Sequence, residues 1–333
     1  GLENFEGRDL KGVVVDVMSV LGHLRDAYSR LVDLLQPVSH PNDAEEVEVF
    51  LADPKRRESF YNLLCAFGKA LNVVLNAEPA YDVLAKSERE RYQSAFVFFS
   101  KVRRSVKIRY CDAIDNREYE PLMQNLLDTH LSVAGLKQIT SPVDILNKDD
   151  FERELEELGS LRAKADAINS KLTKSISEKY QENPAYYDSF SQRIRAALDQ
   201  YKERVISESE YLSKMREIME DYHTGKSTVT YPKAIQEDVH AQAFYGVLSA
   251  VFSSAPEAEV SLDFAAELSL EIKNIIAAHS QVDWTNNQTI HDRIAQDIDD
   301  LFYRYEKEQG LKLSFDTIDK VIENVKTVAL RRF

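Results

Sequence analysis

Three short stretches of this sequence hold residues whose types and order suggest chemistry. Thr224-Gly225-Lys226-Ser227 ends as a phosphate-binding loop ends, with backbone amides and a lysine placed to hold phosphates. The full motif needs another glycine five positions before Gly225, where Glu220 stands, and a strand ahead of the loop, where the pattern is that of an amphipathic helix. A polar turn between helices is expected instead. Val13, Val14, Val15 and Asp16 imitate the apolar strand and acid that hold magnesium in helicase-like motors, yet their register continues into a helical stripe. Asp263 with Glu271, Ile272 and Lys273 imitates a metal-dependent nuclease, in which clustered carboxylates bind magnesium and a lysine supports the attacking water. Those residues belong on a strand hairpin, and here they fall in a helix pattern.

The densest basic run is Lys101, Arg103, Arg104, Lys107 and Arg109. At 100° per residue the first four surround the face opposite Phe99, Val102 and Val106, which reads as a solvated helix face. The same face also suits DNA phosphates or the acidic surface of a partner, and Arg103 and Lys107 are taken as candidate partner contacts. The seven histidines include no His-Glu-x-x-His, no serine sits in a nucleophile elbow, and Cys65 and Cys111 have neither metal-ligand spacing nor an adjacent histidine. No catalytic, cofactor-binding or metal-ligating residue is assigned.

The elements that carry these residues are helical. Ten glycines and nine prolines in 333 residues are too few for sandwiches, barrels or glycine-looped nucleotide folds. With 44% hydrophobic and 29% charged residues the chain is expected to be folded and soluble, and its net charge of −14 opposes a phosphate backbone. No secretory signal or membrane-length apolar run is present, so a cytoplasmic protein with free thiols is expected. Gly1 in place of Met points to a processed or excised piece of a longer polypeptide.

Apolar stripes recur at three- and four-residue steps: Val17 to Leu35, Phe60 to Val74, and Tyr92 to Tyr110, three helices expected to form one packed group. After a proline-marked stretch from Pro121 to Pro142 the pattern resumes near Asp149, a soft boundary. Asn183 before Pro184 fits an N-cap followed by proline at the first helical position, predicting a helix to Ile206. Ser207 and Glu210 fit a capping box. Further helices are predicted over 239–252, 262–278, 290–305 and 318–328. The fold class expected is all-α, an elongated multi-helix bundle that can divide into two helical subdomains.

Several segments resemble the C-terminal helical domain of type I restriction enzyme R (restriction and translocation) subunits. They are Arg109-Tyr110-Cys111-Asp112-Ala113-Ile114-Asp115, Asn183-Pro184-Ala185-Tyr186-Tyr187-Asp188-Ser189-Phe190-Ser191, Ala243-Phe244-Tyr245 and Asp283-Trp284-Thr285. The resemblance extends from about residue 90 to 333 and is weaker before that. It divides the chain into a helical linker or first subdomain, 1–110, and the C-terminal helical domain, 111–333.

The resemblance implies a parent subunit with an N-terminal nuclease domain and two ATP-driven motor domains, working with methyltransferase and specificity subunits. ATP and magnesium belong to those other domains, so no cofactor is expected in this chain. Its implied task is attachment to the methyltransferase-specificity core, with DNA met through the complex. Asp283 and Trp284, at a helix junction, join Arg103 and Lys107 as candidate partner contacts, with Trp284 either an internal wedge or an exposed anchor. The alternative is a helical nucleic-acid-binding regulator using the basic face at 101–109, and an unrecognised enzyme is a third reading.

Overall fold

The computed structural model describes residues 7–112, 120–131, 145, 147–255, 260–280 and 284–333, and the side chains of these from residue 17 onward except at 78, 79, 120, 122, 129 and 130. Every regular element among them is helical. Packing divides the chain into two compact units, Gly1–Lys171 and Leu172–Phe333. The boundary at 110/111 drawn from the sequence falls at the end of one helix of the first unit.

In the first unit the helices are α1 (Gly7–Leu34), α2 (Ala44–Phe50), α3 (Pro54–Asn76), α4 (Glu78–Val83), α5 (Lys86–Arg109), α6 (Glu120–Asn125) and α7 (Lys148–Glu156). The α1 stripe buries Leu21, Leu24 and Leu31 against the Phe60, Leu64, Phe67 and Leu71 stripe of α3. Asp53 starts α3 by accepting from the Arg56 amide at 3.0 Å, with Pro54 at the first helical position where its missing N–H costs nothing. Gly68 lets α5 come close, because a Cβ there would lie 2.8 Å from the Phe96 ring. Phe67 then meets Phe96 at 6.0 Å and Tyr28 at 5.4 Å between ring centroids, so the three stripes do share one core.

The helix α8 (Leu161–Lys179) contains the division between the units. The second unit continues with α9 (Pro184–Lys202), α10 (Glu208–His223), α11 (Val239–Ser254), α12 (Leu262–His279), α13 (Gln288–Gln309) and α14 (Phe315–Arg332). α11 is apolar on nearly every side and touches α9, α12 and α14, as a helix hydrophobic all round must be enclosed.

Caps set the boundaries. Asn183 accepts from the Tyr186 amide at 3.2 Å, and Ser207 and Glu210 form both halves of the capping box. The predicted helix to Ile206 stops at Lys202, because Arg204 turns to φ 59° and the Val205 amide reaches back to the Gln200 carbonyl at 2.8 Å. That closure leaves Ser207 extended, as its role at the head of α10 requires.

Candidate functional site

The three imitation motifs take ordinary helical settings. Thr224-Gly225-Lys226-Ser227 closes the C-terminus of α10: Gly225 has φ 72°, and the Lys226 amide donates to the Asp221 carbonyl at 2.8 Å. A phosphate loop needs the positive N-terminal end of a helix, and this turn lies at the negative end. Val13 to Asp16 lie within α1. Asp263 and Glu271 lie on α12, about 12 Å apart along its axis at 1.5 Å per residue, too far to share an ion. Glu271 accepts from the Tyr305 hydroxyl at 2.6 Å and pairs with Arg304, while Lys273 pairs with Asp238 at 2.8 Å. No group of three or more His, Cys, Asp or Glu residues among the described ones is placed to hold a metal ion.

The basic run on α5 departs most from the solvated face expected of it. Arg103, Lys107 and Arg109 are buried, with only 0%, 3% and 0% of their surfaces exposed. α5 is flanked by α2 and α3 as well as by residues of α8, so its polar side is enclosed too. Arg103 and Lys107 therefore present no surface to DNA or to a partner in this fold. Only Lys101 remains exposed, with Arg104 half-buried against Glu157 at 2.6 Å.

Arg109 is the centre of a buried ionic cluster. Its guanidinium donates to Glu45 at 2.8 Å, to Glu48 at 3.0 Å and to Asp166 at 2.8 Å, tying α2, α5 and α8 together. A guanidinium is suited to this because its planar fork of donors satisfies several carboxylates at once. Burial pushes the Glu48 and Asp166 carboxyls above the ordinary range despite Arg109. Burial also opposes ionisation of Glu45, but hydrogen bonds from Arg109 and Ser160 outweigh it and hold that carboxyl low. One arginine facing three acids, with Arg162 3.8 Å from Asp166, fills the place a cation would take. The cluster is a structural clamp and offers no open position for a substrate.

The neighbouring residues share the work. Tyr110 donates to the Glu48 carbonyl at 3.0 Å, Cys111 turns to φ 49° to end α5, and Asp112 receives the Arg57 guanidinium at 2.8 Å. In the second unit, Asn183 caps α9, Ala185 sits against Gly246, and Tyr187 and Phe190 pack with Tyr222. Trp284 is 4% exposed within the core built from α11 to α14, its ring 5.8 Å from His291. Asp283 and Ala113 to Asp115 lie outside the described residues.

The family model described as type I restriction enzyme HindI endonuclease subunit-like, C-terminal, matches residues 42–329. The chain belongs to this family. No curated protein and no solved structure matches it. The family is the C-terminal part of a type I restriction endonuclease subunit, and the Arg109 and Asn183 segments that carried the resemblance hold its helices together.

Of the four candidate contacts, Arg103 and Lys107 are buried one turn apart on α5, Trp284 is buried in the core of the second unit, and Asp283 lies outside the described residues. Sequence reasoning missed Glu45, Glu48 and Asp166. Glu45 and Glu48 stand three residues apart in a short acidic helix, a spacing that looks like an ordinary exposed edge. In this C-terminal segment of a restriction subunit no described helix is long and apolar enough to cross a membrane.

Proposed function

We propose that this chain is the non-catalytic end of a type I restriction R subunit and docks the ATP-driven translocase and nuclease onto the methyltransferase-specificity core, in the cytoplasm. The observation that carries the reading is the family match over 42–329. The settings of Lys226 at a helix C-terminus and of Glu271 and Lys273 in side-chain pairs support its non-catalytic half. ATP and magnesium serve the parent's motor and nuclease domains, and DNA is held through the complex. Within each unit, packed helices supply the stiff support that attachment under translocation needs.

A competition assay tests this. Excess isolated chain, added to a complete type I restriction reaction, is expected to occupy the core and suppress ATP-dependent cleavage by the full R subunit. Cleavage that proceeds unchanged at a large excess of folded chain would count against docking. The regulator reading has lost its base, since three of the five cations on which it rested are internal.

A further inference from the structure

The last turn of α14 is held across the starts of two other helices of the second unit. Arg332 donates from Nη1 to the Glu182 carbonyl at 3.1 Å and from Nη2 to the Val239 carbonyl at 2.9 Å. Glu182 directly precedes Asn183, the cap of α9, and Val239 opens α11, so one guanidinium fastens α14 to both helix starts. Next to it the Phe333 ring lies against the His240 ring at 4.5 Å and beside Phe244 at 6.3 Å between centroids.

A positive charge on His240 is opposed from several directions. The residue is the second of α11, at the positive end of that helix, and its Nδ1 is enclosed with no hydrogen-bond partner among the described residues, as is Nε of Arg332. The charged groups that face it are Arg332 from α14, Lys273 from α12 and Asp238 from the cap of its own helix. Asp238 is the one acid of the three, and both its oxygens are engaged, Oδ1 with the His240 and Ala241 amides and Oδ2 with Lys273 at 2.8 Å. The Phe333 face attracts a cation, a small opposing effect at a half-exposed site. Around Arg332, the Glu182 and Asp238 carboxylates attract the guanidinium, while burial keeps the Tyr187 and Tyr231 hydroxyls above their ordinary value and therefore neutral. An imidazolium would thus stand near a guanidinium that stays charged, and the guanidinium, one residue from the end of its helix contacts and held by neutral carbonyls, is the group able to leave.

We propose that Arg332 and Phe333 form an acid-released latch, in which protonation of His240 drives the last turn of α14 off the starts of α9 and α11 while the core built from α11 to α14 stays packed. The latch is closed above the ordinary histidine range and opens as pH falls through it, because the open form takes up the proton that the closed form resists.

Hydrogen exchange of the full chain at pH 7.5 and pH 5.5, read as protection factors so that the intrinsic pH dependence cancels, tests this. Protection of the Arg332 and Phe333 amides, and of Tyr186 and Tyr187 at the start of α9, should fall about tenfold at the lower pH. In His240→Gln, which carries no charge at either pH, protection should stay at its pH 7.5 level. Arg332→Met should show the low protection at both, and its His240 ring, followed by NMR, should titrate nearer the ordinary histidine value than in the parent. Protection that holds in the parent at pH 5.5, an equal fall in His240→Gln, or an unmoved His240 titration in Arg332→Met each overturns the inference. A fall shared equally by the buried amides of α12 and α13 overturns it too, since the whole unit would then be loosening and not its latch.

Discussion

The Arg109 guanidinium, at the end of α5, meets a single oxygen of Asp166 through two donors, Nε at 3.1 Å and Nη2 at 2.8 Å, across 57 residues of sequence. The remaining donor positions reach Glu45 and Glu48, so removing the arginine would leave three acids without their shared cation. Arg109→Met is therefore expected to destabilise the first unit by about 3–5 kcal/mol, since breaking one side of a buried ionic cluster abandons the other. Thermal unfolding followed by circular dichroism checks this. A melting temperature within a degree of the parent's would show that the cluster contributes little.

Gly246 tests the seat of the Asn183 segment. A Cβ at this position would lie 2.6 Å from the Ala185 Cβ, with both atoms fixed on helices. Gly246→Ala should cost about 1–3 kcal/mol through overpacking, even though alanine is the better helix former. Chemical denaturation gives the number, and a gain in stability would mean that α9 and α11 separate freely at this point.

His240 supplies a pH dependence. Its imidazole is held below its ordinary value, first by burial and then by Arg332, with Asp238 acting weakly the other way. The Phe333 ring covers it at 4.5 Å between centroids. The unfolded chain then binds a proton that the folded chain resists, so this histidine's contribution is intact above about pH 6.5 and is lost as pH falls through that value toward the lower folded one. The second unit's melting temperature should drop between pH 7.5 and pH 5.5, and His240→Gln should reduce the drop. An equal drop in the variant assigns the effect to other groups.

Neither ATP hydrolysis nor DNA cleavage is expected of the isolated chain with magnesium. Lys226 belongs to the closing turn of α10, where carbonyls, not amides, face outward. A phosphate-release assay checks this, and ATPase activity that vanishes with Lys226→Ala would revive the phosphate loop.

The helices were legible because each of the main ones buries a stripe whose period survives in the sequence, and because Asn183, Ser207 and Glu210 mark their starts. The fate of the α5 cations was not legible. A helical wheel shows which side of α5 opposes Phe99 and Val102, but it cannot show that α2 and α8 cover that side as well. The acids that admit Arg109 to the interior stand some 60 residues away on either side, at 61 for Glu48 and 57 for Asp166, with no local pattern linking them. The division at 171/172 was hidden for a different reason: it falls inside α8, where neither a cap nor a proline marks it. Trp284 stood at a helix junction that suits a wedge and an anchor equally, and only its enclosure among α11 to α14 distinguishes them. Removing 283–333 would also remove α13 and α14 from that core, so such a truncation reports on folding before it reports on docking.

Sedimentation of the isolated chain with the methyltransferase-specificity core, in the absence of DNA and ATP, tests the docking role most directly. The account predicts a heavier species containing both at micromolar concentration, formed without the motor or nuclease domains. Two independently sedimenting boundaries at tens of micromolar, with the chain shown to be folded by its cooperative melt, would contradict it.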